Sequence, residues 1–211
     1  MSEPVMSARP NSTDSVIGNL RRSIAVQAAR LIAEEGIEDF AFPKRKAARQ
    51  LGVPPRDLPS NAEIEEALQE HRSLFRDEDD EERLERMREA AILVMEQLAP
   101  LRPYVTGVVL TGLGDAFSEV ELEVFADSAK DVELFLLSKG IPYEHNEVRR
   151  TGHDAPEAIL LFECDGVPFR LYVFDHVAER TPRRAHSGVI AERLRLDAFR
   201  ARIEQSSDAA D

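Results

Sequence analysis

The spacing of apolar residues along this chain changes its period at the two prolines Pro100 and Pro103. Before them, apolar residues recur at helical spacing. The clearest series is Leu84, Met87, Ala91, Val94 and Leu98. After them, apolar and polar residues alternate with the period of two that is typical of half-buried strands. The change predicts an α+β protein, in which an N-terminal helical layer or bundle is followed by a small mixed β-sheet with flanking helices.

This pattern divides the chain of 211 residues into four predicted parts. Polar composition predicts disorder at both ends. The parts are a disordered N-terminus (1–14), a helical region (15–100), an α/β domain (101–204) and a disordered tail (205–211). In the helical region, Ser60 and Glu63 form a capping-box pattern that predicts the start of a helix.

The composition of the chain argues against several classes of binding partner and site. A net charge of −13 argues against general binding to nucleic acid, for which a basic surface supplies most of the affinity. The single cysteine, Cys164, excludes an intramolecular disulfide and a cysteine-rich zinc site. The longest apolar runs are too short to span a bilayer, so we expect a cytoplasmic protein that does not enter membranes.

One segment of the helical region, residues 28–53, resembles the opening of a helix-turn-helix repressor of the tetracycline-repressor type. Its basic residues would lie where a DNA phosphate could bind. They are Lys44, Arg45, Lys46 and Arg49. A recognition helix should begin directly after Gly52, but Pro54, Pro55 and Pro59 follow, and proline does not fit the body of a helix. We therefore keep DNA binding as the weaker alternative to a helical packing layer.

Residues 104–125 read YVTGVVLTGLGDAFSEVELEVF, which predicts a strand over residues 104–110, a turn of small residues and a second strand. Near the second strand Glu119, Glu121 and Glu123 alternate with apolar residues, so the carboxylates lie on one face of the sheet. Two hypotheses fit this face. It is the acidic outer side of a half-buried strand, or it binds a hard cation such as Mg²⁺, which prefers carboxylate oxygens.

The order of strand, glycine-containing turn and SEVELEV (residues 118–124) resembles the signature of the DNA polymerase β-like nucleotidyltransferase superfamily. In that signature, Gly-Ser is followed after a short spacer by Ser-Asp-Ile-Asp-Leu-x-Val. Here Gly112 takes the place of the glycine and Leu113 that of the serine. Glu119 and Glu121 take the places of the two aspartates, and each adds a methylene and a torsion to the side chain.

The resemblance covers about residues 104–174 and implies a nucleotidyltransferase-like domain that transfers a nucleoside monophosphate from a nucleoside triphosphate to a hydroxyl acceptor. It implies Mg²⁺ as the cofactor, held by Glu119 and Glu121. The candidates for binding phosphate and stabilising charge are Thr111, Gly112, Arg180, Arg183 and Arg184. Arginines beside a helix N-terminus suit phosphate. They suit acidic protein surface equally well, and the net charge of −13 favours an intramolecular contact. Ser187 is the predicted N-cap of a closing helix through Ile203.

The dipeptide Asp-Gly at 165–166 lies between two alternating runs and predicts a hairpin with a two-residue type I′ turn. The register places Phe162 opposite Phe169 on the core side, and it makes Glu163 and Arg170 neighbours that could pair on the other side. In the nucleotidyltransferase family a third metal-binding carboxylate comes from this later strand, where Arg170 stands here. Glu163 is therefore the candidate that replaces the third catalytic carboxylate in part.

These patterns leave two main function classes. The first is a nucleotidyltransferase that uses Mg²⁺. The second is a catalytically inactive protein of the same fold that binds a nucleotide or a protein, with the helical half as the interface for a partner or for a second copy of the chain. Mg²⁺-dependent thermal stabilisation by a nucleoside triphosphate that vanishes in Glu119→Gln with Glu121→Gln would support a site.

Overall fold

The structure of the protein is a computed structural model, and it describes residues 12–37, 39–54, 58–75, 78–114, 116–148, 155–182 and 191–208. These residues divide into two units, the first ending at Leu74 and the second beginning at Phe75. The helical region expected over residues 15–100 therefore contributes to both units. Residues 12–14 and 205–208, for which the sequence predicts disorder, are helical.

The first unit contains three helices in its described residues. They are α1 (Ser12–Glu35), α2 (Ala41–Gln50) and α3 (Asn61–Phe75). Their apolar sides meet in one cluster that includes Ile24, Ala28, Ala47, Ile64 and Leu68. The helix-turn-helix alternative expects a helix directly after Gly52, whereas the next described helix begins at Asn61. The intervening prolines oppose an earlier start, because proline lacks the N–H that a helix interior requires.

The capping box before α3 is confirmed. The Ser60 N–H donates to Glu63 Oε2 at 2.6 Å, and the Glu63 N–H donates to Ser60 Oγ at 3.2 Å. The bond from the Ser60 N–H, and then the bond from its hydroxyl, hold the pKa of the Glu63 carboxyl below its ordinary value. The ionised carboxylate therefore stabilises the folded first unit.

We expect Ser60→Ala to lower the free energy of unfolding by about 1 kcal/mol near neutral pH. Since the pKa of Glu63 is lower in the folded state, the stability contributed by its ionised form is present above the unfolded pKa and is lost as pH falls through the folded pKa. The difference between wild type and variant should shrink between about pH 7 and about pH 3. Urea unfolding followed by circular dichroism at both pH values checks this, and a difference that grows in acid would contradict it.

The second unit combines helices with a six-stranded sheet in its described residues. Its elements are α4 (Glu78–Gln97), β1 (Tyr104–Thr106), α5 (Val108–Thr111), β2 (Val120–Ala126), α6 (Ala129–Ser138), β3 (Glu144–Asn146), β4 (Ala158–Cys164), β5 (Val167–Asp175), β6 (Arg193–Leu194) and α7 (Leu196–Asp208). The strand order is β3-β4-β5-β2-β1-β6. β2 and β5 are parallel, and the other neighbours are antiparallel. The α+β prediction, with helices followed by a mixed sheet, is confirmed at this level.

One apolar cluster forms the core of the second unit. It joins the buried sides of α4, α6 and α7 to the apolar side of the sheet. Fully buried members include Val94, Val120, Leu122, Leu136, Phe169 and Phe199. The apolar residues of β2 thus belong to the core, as the alternation predicts, and its glutamates belong to the opposite side.

The hairpin of β4 and β5 is confirmed in turn and register. Asp165 and Gly166 have φ values of 51° and 79°, the positive values that a type I′ turn requires. Phe162 lies opposite Phe169, and their rings stack with centroids 5.1 Å apart. Glu163 lies opposite Pro168.

Three element predictions need correction. The strand predicted over residues 104–110 ends at Thr106, and α5 follows because a helical turn buries Val109 and Leu110 in the core. The sequence also predicts a strand over residues 141–149, and within the described part of that range, 141–148, the strand is limited to β3. The start of the closing helix, Ser187, lies outside the described residues, and the chain forms β6 beside β1 before α7 begins.

Candidate functional site

The acidic side of β2 is covered by cations. Glu121 is half-buried and Glu123 is only 3% exposed, although both lie opposite the apolar core side of the strand. A carboxylate at such low exposure needs hydrogen-bonding or ionic partners, because burial of an isolated charge is unfavourable. The predicted acidic outer face is therefore a polar layer of the second unit with its own set of ion pairs.

Arg170 forms an ion pair with one of the two candidate metal carboxylates. Its Nε donates to Glu119 Oε2 at 2.7 Å, and the Arg170 side chain is only 14% exposed. The parallel register of β2 and β5 also places Arg170 directly beside Glu121. The sequence suggests Glu163 as the partner of Arg170, but the ion pair runs to Glu119, and Glu163 is exposed.

This arrangement does not fit a two-metal centre. A guanidinium stays protonated at any physiological pH, and here it already bonds to one of the two carboxylates that the resemblance assigns to Mg²⁺. It also takes the strand position at which the family has a third carboxylate. A divalent cation would be repelled by this charge. Within the described ranges, no group of three or more His, Cys, Asp or Glu side chains is arranged to hold a metal.

The glycine beside the carboxylates is Gly107, whereas the nucleotidyltransferase signature points to Gly112. The φ of Gly107 is 74°, and a Cβ atom placed on Gly107 would lie 2.6 Å from Glu121 Oε2. Any side chain at this position would therefore displace Glu121. Gly112, the predicted phosphate-binding glycine, ends α5 instead, with a φ of 75° and the Arg88 side chain nearby. The sequence feature that could have identified Gly107 is its position, since it is a glycine directly after β1.

Thr111, the other candidate in this segment, is exposed at the end of α5. Its hydroxyl donates to the Val108 carbonyl oxygen at 3.4 Å, a bond within one turn of the same short helix. Arg180 is also exposed, at the end of a 3-10 helix over His176–Arg180. Arg183 and Arg184 lie outside the described residues.

A second cation, Arg193, covers the other end of the acidic side of β2. Arg193 Nη1 lies 3.4 Å from Glu123 Oε2, and the side chains are 19% and 4% exposed. The guanidinium carbon is 4.7 Å from the ring centroid of Tyr104 and 4.9 Å from that of Phe125. Arg193 also donates to the backbone carbonyl of Glu179. One arginine thus joins β1, β2, β6 and the 3-10 helix.

Arg195 extends the same group of contacts. Its guanidinium carbon lies 3.6 Å from the ring centroid of Tyr104, and its Nη2 pairs with the Glu179 carboxylate. The Tyr104 hydroxyl donates to Glu179 Oε1 at 3.1 Å. Arg193 and Arg195 were missed because the sequence predicts a helix there. The alternation Arg193-Leu194-Arg195 was the available signal for a strand.

The surroundings of Cys164 disfavour a role as a nucleophile. It is half-buried at the end of β4, and burial, together with the Asp165 carboxylate, raises the pKa of its thiol. Thiols react as thiolates, so a raised pKa lowers the reactive fraction at neutral pH.

In the parts of the chain that the structure describes, no helix has the length and apolar character needed to cross a membrane. Comparisons of the chain with models of known protein families, with curated proteins and with solved structures find no match.

Proposed function

We propose that this chain is a nucleotidyltransferase-like protein that does not transfer nucleotides and that works by binding a nucleotide or a protein. The observation that carries the proposal is the ion pair between Arg170 and Glu119, with 2.7 Å between Nε and Oε2. It puts a permanent cation where the resemblance requires a third anion, and it neutralises one of the two remaining carboxylates.

The electrostatics of the polar layer support this proposal. Transfer by two metal ions needs carboxylate oxygens that are available to both ions. Glu119 is bonded to Arg170, Glu121 lies beside Arg170 in the ladder, and Glu123 is paired with Arg193. These carboxylates neutralise arginines and hold β2, β5 and β6 in place. In this proposal the polar layer is a structural element that takes no part in catalysis.

We expect wild-type protein to release no pyrophosphate above the blank when incubated with each of the four nucleoside triphosphates and Mg²⁺ or Mn²⁺. The double variant Glu119→Gln with Glu121→Gln should give the same result, because neither side chain has a catalytic role. Pyrophosphate release by the wild type that disappears in this double variant would refute the proposal and support the transferase.

Thermal unfolding supplies a second readout. We expect Mn²⁺ to leave the wild-type Tm unchanged and to raise the Tm of Arg170→Asp, in which the cation is replaced by a third carboxylate. A nucleoside triphosphate that raises the wild-type Tm without any metal would identify a nucleotide as the ligand. If none of the four nucleoside triphosphates raises the wild-type Tm, the ligand expected from the proposal is a protein. A rise of the wild-type Tm that requires both metal and nucleotide, and that is lost in Glu119→Gln with Glu121→Gln, would contradict the proposal.

A further inference from the structure

The first unit contains a cleft of about 280 Å³. It is lined by residues around the start of α2, the start of α3 and the link that precedes α3. Small-molecule sites typically measure about 300–1,000 Å³, so this cleft suits a compact ligand and is too small for most of a nucleoside triphosphate. Two of the basic residues that the sequence associates with DNA phosphate, Lys44 and Arg45, line it.

Apolar side chains form part of the cleft wall. Phe40 is 9% exposed and belongs to the apolar cluster of the first unit, and Leu58 packs against that cluster. An apolar group placed against them would lose contact with water, which favours binding. This part of the wall selects for a ligand with an apolar body.

Lys44 supplies a cation in the same wall. Its Nζ donates to Asn61 Oδ1 at 2.7 Å, and an ammonium group has three donors, so Lys44 can also donate to a ligand. Burial lowers the pKa of Lys44, whereas the charges of Glu63 and Asp39 act in the opposite direction. The partial loss of hydration strengthens the attraction of this ammonium for an anion relative to an exposed lysine.

The other charges of the cleft are Arg45 and Asp39. Arg45 is exposed, and it forms no ion pair with another residue in the described ranges. Asp39 accepts hydrogen bonds from the N–H groups of Ala41 at 3.0 Å and Phe42 at 3.3 Å, so its carboxylate is engaged at the start of α2. Among the described residues that line the cleft there are two cations and one anion, which gives this lining a net positive charge in a strongly acidic chain.

We propose that this cleft binds a small organic anion, with its carboxylate or phosphate head at Lys44 and Arg45 and its apolar body against Phe40 and Leu58. The proposal concerns the first unit alone and does not depend on the function proposed for the sheet. It gives the basic start of α2 a role other than DNA binding.

The test is a titration of the ¹⁵N-labelled full-length protein, followed by NMR, with benzoate and with phenyl phosphate. We expect saturable shifts of the amides of Phe40, Ala41 and Leu58. Benzyl alcohol, which has the apolar body without the charge, should bind at least about tenfold more weakly. Inorganic phosphate, which has a charge without the apolar body, should also bind more weakly.

Matched variants test whether Lys44 and Arg45 bind the charged head group of the probe. Lys44→Met keeps the apolar stem and should weaken binding of the better probe by about tenfold. Lys46→Met is the control, because Lys46 lies on the same helix, pairs with Glu35 at 2.8 Å and does not line the cleft. It should leave Kd unchanged. Arg45→Met should weaken binding to a smaller extent, and because Arg45 is exposed, this variant remains informative if Lys44→Met does not fold.

The proposal fails if neither benzoate nor phenyl phosphate gives saturable shifts at these amides. It also fails if benzyl alcohol binds as tightly as the anions, or if Lys44→Met and Lys46→Met bind equally. None of these results bears on pyrophosphate release, so this inference and the proposed function can fail separately.

Discussion

Arg193→Met is expected to lower the free energy of unfolding by about 3 kcal/mol, because it removes the cation from a carboxylate that is almost fully buried. The Glu123 side chain is 4% exposed, and Arg193 Nη1 lies 3.4 Å from its Oε2. The substitution also removes the contacts of the guanidinium with the Tyr104 and Phe125 rings. Equilibrium unfolding in urea, followed by circular dichroism, measures the loss.

Two further variants separate charge from packing. Arg202→Met removes an ion pair with Glu192 in which the side chains are 43% and 52% exposed, so it should cost less than about 1 kcal/mol. In the Arg193→Met background, Glu123→Gln should restore part of the stability, because it removes the buried charge. If Arg193→Met costs no more than Arg202→Met, the assigned role of Arg193 is wrong.

Phe169→Ala is the second substitution with a large expected effect, a loss of about 4 kcal/mol. Phe169 is 1% exposed, stacks on Phe162 across the hairpin and lies beside Val120 in the parallel ladder. Truncation would remove buried apolar area and leave a cavity between β2 and β4. The unfolding experiment used for Arg193 also measures this loss.

Leu134→Ala is the matched control for Phe169→Ala. Leu134 lies on α6 of the same unit and is 55% exposed, so its truncation should change stability by less than about 0.5 kcal/mol. Equal losses for the two variants would show that β5 does not form the centre of the core. Phe169→Leu should recover most of the stability, since it keeps much of the buried volume.

The hairpin of β4 and β5 could be predicted from sequence because its information is local. An Asp-Gly turn fixes which residues lie opposite each other, and the period of two then decides which side is buried. The stacking of Phe162 on Phe169 follows from these two rules. The capping box at Ser60 and Glu63 is local in the same sense.

The partner of Arg170 could not be predicted in this way. Local reasoning finds Glu163, which is diagonal to Arg170 across the hairpin. The partner in the structure is Glu119, which precedes β2, a strand that lies parallel to β5 and is far from it in sequence. Parallel pairing needs a long crossover, and no short-range pattern specifies its register. Local reasoning therefore pairs Arg170 with Glu163, whereas the structure pairs it with Glu119.

The short run Val108-Val109-Leu110 shows a second limit of structure prediction from local sequence. Three apolar residues fit a strand or a helical turn equally well by pattern. The helical turn is the form in which Val109 and Leu110 reach the core while Gly107 gives room to Glu121. That choice depends on the packing of the complete unit.

β6 protects the backbone of β1. It pairs with Val105 and Thr106, and the Thr106 hydroxyl donates to the Glu192 carbonyl oxygen at 2.8 Å. A chain shortened before Glu192 would leave the N–H and C=O groups of β1 unpaired at the border of the sheet. Such a border recruits strands from other molecules. We therefore expect β6, an edge strand of only two residues, to limit the pairing of this border of the sheet with strands of other molecules.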